Sequence, residues 1–246
     1  MLKKVIYTAI FGDKDVLHEP EFLPEGFDFV CFTDNKDLES KVWDIRVVEP
    51  LFKDPVRNAR YYKIMAHKVL PEYEISVWVD GNMVVTGDVN IWIEKYLKKY
   101  FFVTFDHSKQ KKRWLGLFWI TDKKFARNCI YKEAEDILKK NAEGFYMDDP
   151  DVVINQVSRY RNEGYPKNNG LAVTMILLRR HNNEQVINLM ESWWQELSVG
   201  SRRDQLSLNY VVWKNSFPLK YVKGDPRYNK FFKKNRHKIK SNFRQN

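Results

Sequence analysis

The sequence predicts a single-domain α/β fold, and three observations carry that prediction. Runs rich in β-branched and aromatic residues recur at 4–12 (KVIYTAIFG), 27–34 (FDFVCFTD), 43–49 (WDIRVVE), 75–80 (ISVWVD), 100–107 (YFFVTFDH) and 171–180 (LAVTMILLRR), with a shorter one at 218–222 (PLKYV). Helical spacing fills several of the gaps between them, and such alternation marks a sheet flanked by helices. No repeat and no Gly/Ser- or Pro-rich linker divides the 246 residues, and 43% of them are hydrophobic, enough for one sizeable core. The domain is expected over 1–226, with 227–246 as a basic tail.

The helices follow from their caps and stripes. Over 55–70, Asp54 is placed to cap and Pro55 suits the first turn. Ala59, Tyr62, Ala66, Val69 and Leu70 recur at helical spacing and form the buried stripe. Arg60, Lys63 and His67 lie on a band beside that stripe, where basic groups either reach into a cleft or form a solvated edge. A second helix covers 184–197, with Val186, Leu189, Met190, Trp193, Trp194 and Leu197 on its core side. A third covers 201–214, with Leu206, Tyr210 and Trp213 on one face and Ser201 and Asp204 spaced as a capping box. A shorter one, 150–163, opens at Asp149-Pro150 and closes near Gly164.

A formal charge of +10 points to anionic partners: nucleotide phosphates, anionic lipid heads or nucleic acid. Much of the excess lies after Lys220. Cys31 and Cys129 make no disulfide framework and no C-x-x-C, and are expected reduced and buried. The apolar stretch near the start is about eight residues, marginal for a signal peptide and too short to span a membrane. A soluble, cytoplasmic protein is the expectation.

One stretch raises the question of function. SVWVDGNMVV, residues 76–85, is a buried-strand run that stops on Asp80-Gly81-Asn82. Those residues suit a turn. They also fall where ligands bind in open α/β sheets, at the carboxyl end of a strand. Phosphate loops of the G-x-x-x-x-G-K-[ST] and G-x-G-x-x-G kinds are absent, as are G-x-S-x-G and H-E-x-x-H. A bound nucleotide must therefore be held by strand ends, basic side chains or a metal.

The ordered set VIYTAIFG, FVCFTDN, RNARYYKIMAHKVLPEYEISVWVDGNMVV and RRDQLSLNYV resembles family 8-like glycosyltransferases of the GT-A type. In particular it is similar to the glycosyltransferase-like family that includes plant turgor-regulation and mucilage proteins. NCIYKEAE, YRNEGYP and LLRRHN add to the likeness, which covers most of residues 4–214. It implies a GT-A fold with a Rossmann-like mixed sheet. It also implies transfer of a hexose from a nucleotide sugar, a UDP-sugar, to a glycan or glycolipid acceptor.

By that resemblance, VDGN stands in place of an Asp-x-Asp motif. Asp80 would meet the ribose or a divalent metal (Mn2+ or Mg2+), and Gly81 would allow close backbone approach. Asn82 stands where the second carboxylate belongs, so Arg60 and Lys63 would share in neutralising the diphosphate. His237 is the C-terminal candidate for a further metal ligand. The uracil would stack near Tyr7, Thr8 and Ala9, with Asp34 close by. Asp204 and Gln205 would border the donor sugar, and Asn169-Gly170 either line the acceptor side or form a turn. Two other readings stand beside this one: a basic nucleic-acid-binding protein, and a degenerate transferase that binds nucleotide sugar without turnover. Basic residues in the tail, with Phe231, Phe232 and Phe243, would favour peripheral contact with an anionic membrane.

Overall fold

Six uncharged, largely apolar residues after Lys4 build most of the seven-residue first strand, and all six are buried, as an interior strand of a two-sided sheet must be. The computed structural model describes residues 2–114, 118–123 and 126–235. Its strands are β1 (Lys4–Ile10), β2 (Phe27–Thr33), β3 (Asp44–Val47), β4 (Ile75–Val79), β5 (Met83–Val85), β6 (Phe102–Asp106), β7 (Lys111–Trp114), β8 (Phe118–Thr121), β9 (Ala172–Arg179), β10 (Lys220–Val222) and β11 (Phe232–Lys234). The helices are α1 (Pro55–Ile64), α2 (Ala66–Val69), α3 (Asn90–Trp92), α4 (Ile130–Ala142), α5 (Pro150–Asn162), α6 (Glu184–Val199) and α7 (Asp204–Lys214).

Seven strands form the central sheet in the order β10-β6-β9-β4-β1-β2-β3. All pairings are parallel except those of β9, which runs antiparallel to both β4 and β6. Alternation along β1 sorts the two faces. Val5, Tyr7 and Ala9 join Tyr62, Met190, Trp193 and Leu208 in the layer of α1, α6 and α7. Ile6 and Ile10 point the other way, into a cluster with Val77, Trp92, Tyr96 and Phe232. This is the mixed α/β sheet flanked by helices that the sequence predicts.

Three local expectations need correction. The helix expected over 55–70 breaks at Met65, between α1 and α2. The cause is competition for carbonyls: Tyr7 Oη donates to Lys63 O at 2.8 Å and Arg179 Nη1 reaches Ile64 O at 3.4 Å, while Lys68 N turns to Met65 O at 2.9 Å. The capping box at 201–204 does not form. Ser201 Oγ accepts from Arg203 N at 3.0 Å and itself donates to Asp148, and Asp204 is the first helical residue with its carboxylate turned elsewhere. Phe231 and Phe232 are core residues, their rings 4.4 and 5.5 Å from Trp92, so neither can enter a membrane interface. They arrive there because β11 pairs antiparallel with β5. Phe243 lies outside the described residues.

Cys31 and Cys129 are buried and unpaired. Among the described residues no helix is long and apolar enough to cross a membrane.

Candidate active site

Period-two geometry on β4 sets the site. Trp78 and Asp80 are two apart and fall on one side of the strand, so the indole N–H donates to Asp80 Oδ1 at 2.8 Å. The Trp78 ring also lies beneath Lys63, 5.5 Å from the ammonium, and α1 brings Arg60 one turn away on the same side. At the start of α7, Asp204 completes the group.

Lys63 sits between two carboxylates, with Nζ 2.6 Å from Asp204 Oδ2 and 3.2 Å from Asp80 Oδ1. Arg60 stands 3.4 Å from Asp204 Oδ1 and 3.9 Å from Asp80 Oδ1. The side chains of Lys63 and Asp204 are 0% and 5% exposed, whereas Asp80 and Arg60 are 21% and 17% exposed. The inner pair is thus sealed and the outer pair meets the cleft. Burial alone would raise the Asp204 carboxyl, but Arg60 and Lys63 outweigh it and hold it far below the ordinary value, so it is ionised. Burial likewise opposes the Arg60 charge, and Asp204 and Asp80 overcome it.

More basic groups crowd the rim. Partial desolvation, then the Arg202 charge, draws the Lys14 ammonium below its ordinary value, with Arg60 adding to the effect and Asp54 opposing it. Arg202 bonds Asp54 Oδ2 at 3.1 Å, and Asp54 caps α1 through Val56 N at 2.9 Å. From the C-terminal side, Asn235 N donates to Asn82 O at 2.8 Å and Asn82 Nδ2 donates to Asn235 O at 3.1 Å. The neighbouring Lys234 is drawn down by desolvation and by Arg227, and pulled back up by Asp80.

The structure therefore brings Arg60, Lys63, Asp80 and Asp204 together, with Gly81 and Asn82 in the adjoining turn. Gly81 is closely packed: a Cβ there would lie 3.1 Å from Ile10 Cγ1 and 3.3 Å from Asp15 Cβ, so those side chains would have to yield slightly. Gln205 follows Asp204 and donates from Nε2 to Ala172 O at 2.9 Å. Asp34 accepts from Gly12 N at 3.1 Å, fixing the loop after β1. Gly12 has φ +61 and a Cβ there would sit 2.8 Å from Pro55, so only glycine suits it. His67 turns away to Glu191 at 3.0 Å.

Tyr7, Thr8 and Ala9 are not a surface for a base. Tyr7 is 0% exposed, its hydroxyl held by Arg179 and Lys63 O, and burial pushes its phenol up to about 12. Thr8 and Ala9 are buried too, because an interior strand offers no free side chain until it ends at Phe11-Gly12. Asn169-Gly170 lies between the turn at 167–168 and β9, and a Cβ at Gly170 would lie 3.0 Å from Asn209 Nδ2.

For a divalent cation, the described residues alone do not fit. The Lys63 ammonium already stands between the two carboxylates, and Trp78 occupies Asp80 Oδ1 as well. No group of three or more His, Cys, Asp or Glu suited to a metal occurs among the described residues. His237 lies outside them.

The profile of the TOD1/MUCI70 glycosyltransferase-like domain matches residues 1–244. The chain belongs to this family. It is 25% identical over 237 residues to the probable hexosyltransferase MUCI70 of Arabidopsis thaliana, covering 84% of this chain and 36% of that protein. The chain thus spans little more than a third of that relative's length. Among solved structures, the apo form of the bifunctional glycosyltransferase WbbM is similar at 12% identity and a TM-score of 0.43, over 92% of this chain and 39% of that one.

Sequence reasoning alone leaves out Trp78, Lys14, Arg202 and Lys234 from this TOD1/MUCI70-type site. The i, i+2 relation to Asp80 was a usable signal for Trp78. No local pattern marks Lys234, which reaches the site through the β5–β11 pairing.

Proposed function

We propose that this member of the TOD1/MUCI70 family is a hexosyltransferase that takes a nucleotide sugar, a UDP-sugar, and glycosylates a glycan or glycolipid through a GT-A-type site. One observation carries the reading: Lys63 and Arg60 are locked against Asp80 and Asp204 at the carboxyl end of β4, in a glycosyltransferase-like domain.

Transfer breaks the bond from the anomeric carbon to a diphosphate oxygen and forms one to an acceptor hydroxyl oxygen, whose proton passes to the departing diphosphate. Negative charge grows on the departing diphosphate and positive charge on the sugar. Arg60 is the cation of the cluster that meets solvent, and Lys14 and Lys234 extend the positive rim toward an incoming phosphate. Asp204, ionised and enclosed, orients Lys63 and Arg60 before any substrate arrives, so little reorganisation is needed when charge develops. In this reading Asp80 accepts from a ribose hydroxyl through Oδ2, since Trp78, Lys63 and Arg60 all meet Oδ1. The Gln205 amide is fixed by Ala172 O, and its carbonyl oxygen supplies a neutral acceptor beside the sugar.

Fixed cations are the first charge-neutralising groups in this scheme. The resemblance also names a manganese or magnesium ion with Asp80, Asn82 and His237 as ligands; the described residues alone do not fit one, and no step here is routed through it. Turnover of a nucleotide-sugar panel, with manganese and after chelation, tests both points. Transfer or hydrolysis of one donor supports the enzyme. Tight donor binding with no turnover would favour the degenerate binder, and binding of nucleic acid with no donor affinity the basic-protein reading. Peripheral contact of the basic C-terminal stretch with anionic lipid belongs to the proposal as well, and salt-sensitive pelleting with phosphatidylserine vesicles tests it.

A further inference from the structure

The segment between α4 and α5 contrasts with the rest of the chain. Its backbone is heavily pinned. Phe145 N donates to Lys140 O at 2.8 Å, Met147 N to Asn141 Oδ1 at 2.6 Å, and Asn141 Nδ2 to Asp148 O at 2.6 Å. Asp148 then accepts from Arg202 N at 2.8 Å and from Ser201 Oγ, and Arg202 Nε and Nη2 each reach Met147 O at 3.3 Å. Yet this fixed loop presents two neighbouring aromatic rings to solvent: Phe145 is 67% exposed and Tyr146 66%. Leaving two such rings in water forgoes the burial that aromatic side chains ordinarily supply, and exposed apolar patches of this kind mark interaction sites.

Their position is next to the candidate active site. The Arg202 guanidinium lies 5.3 Å from the Tyr146 ring centre and also bonds Asp54 at the start of α1. Two residues on, Asp204 opens α7 and holds Lys63 and Arg60. The loop is thus tied to the helix end that carries the reacting face, through Arg202 and Asp148. A pyranose ring has a face of C–H groups and an edge of hydroxyls, so it can lie on an aromatic ring while its edge is hydrogen-bonded. Both features are offered here: two exposed rings, with the Arg202 guanidinium beside the Tyr146 ring.

We propose that Phe145 and Tyr146 form the platform on which a glycan acceptor lays a sugar ring, beside the Asp204 end of α7. This rests on the glycosyltransferase reading above and names the acceptor side of the same site. The full chain, the Phe145→Ala/Tyr146→Ala double variant and the ring-preserving Phe145→Tyr/Tyr146→Phe variant are compared on a printed array of neutral and acidic oligosaccharides. Matching thermal melts check that the surface changes leave the fold intact.

The expected result is binding of one or more array glycans by the wild type, a tenfold or greater loss in the double alanine variant, and retention in the ring-preserving one. Donor affinity, read with UDP, should shift less than twofold in either. The platform is overturned if the double variant keeps wild-type glycan binding, or if the wild type holds no glycan. It is also overturned if the rings instead govern pelleting with phosphatidylserine vesicles while glycan binding stands, which would make them a membrane contact. Nucleotide-sugar turnover measured alongside separates the two failures: loss of all donor chemistry sinks the enzyme reading, whereas glycan binding reports on the platform itself.

Discussion

Lys63 on α1 and Arg179 on β9 are both wholly enclosed, yet only one of them has a carboxylate against it. Lys63 stands between Asp80 and Asp204. Arg179 reaches the Tyr7 hydroxyl, Ile64 O at 3.4 Å and Met190 Sδ at 3.3 Å, and among the described residues it forms no ion pair. Burial pulls Arg179 below its ordinary value, and only the Tyr7 hydroxyl pulls it back. It ties β9, β1, α1 and α6 together. The contrast separates two uses of a buried charge. Compensated by carboxylates at a cleft, it holds a paired and oriented charge. Compensated by neutral groups, it serves as a hydrogen-bonding clamp.

The widest separation between the two should appear on removing a counter-charge. Asp204→Asn leaves Lys63 under-compensated, and loss of one member of a buried pair costs about 3–5 kcal/mol. Turnover should fall by on the order of a thousandfold, since the cations lose their orientation. Urea unfolding and donor turnover on one preparation check both. Unchanged stability would show that the pair is not enclosed in solution.

Asp80→Ala acts on the exposed member. Turnover should drop by about a hundredfold or more, with stability falling by roughly 1 kcal/mol, because Asp204 still faces Lys63. A folded Asp80→Ala protein with wild-type turnover would end the assignment.

A pH series extends the comparison to neutral buried bases. Burial holds His107 and His181 down to about 4. Both are then neutral in the folded protein but take up a proton on unfolding below about pH 6.5. Their folded values are depressed, so the stability they contribute is full above the unfolded value and is lost as pH falls toward 4. Each should remove about 1.4 kcal/mol per pH unit across that window. Unfolding midpoints at pH 7.5 and 5.0 should therefore differ, and His107→Gln should flatten the slope.

Arg179→Met should change turnover least of these. It removes an enclosed charge but leaves Tyr7 and Ile64 polar groups without their donor, a cost of about 1–3 kcal/mol. Turnover should stay within a few-fold of wild type. A collapse of turnover with little loss of stability would place Arg179 in the site's function after all.

Much of the frame was legible because it is local. The seven runs read as strands are the seven strands of the central sheet, since interior strands advertise themselves as apolar runs. Arg60 and Lys63 were legible from the band beside the α1 stripe, and Asp80 from its place at a strand end. The same apolar run that revealed β1 hid the error at Tyr7, because a strand buried on both sides gives no sign of which residues a ligand can reach. The antiparallel sense of β9, the α4 helix and the β5–β11 ribbon were not legible. The ribbon joins three-residue strands far apart in the chain, at 83–85 and 232–234, too short for periodicity to show and too distant for local chemistry to link. The resemblance supplied Asp204 its role, and the spacing that suggested a capping box pointed away from it.

That ribbon also fixes a sequence of events in the making of the protein. Val85 pairs with Phe232, and Asn82 with Asn235, bridging the first third of the chain to the end of its described part. A ribosome emits residues in order, so Asp80 and Lys63 emerge long before the segment that buttresses their turn. Contacts this distant in sequence close late, after nearer ones have formed. A nascent chain can therefore hold its sheet and lack its finished cleft. The candidate site is then complete only once the C-terminal segment has arrived.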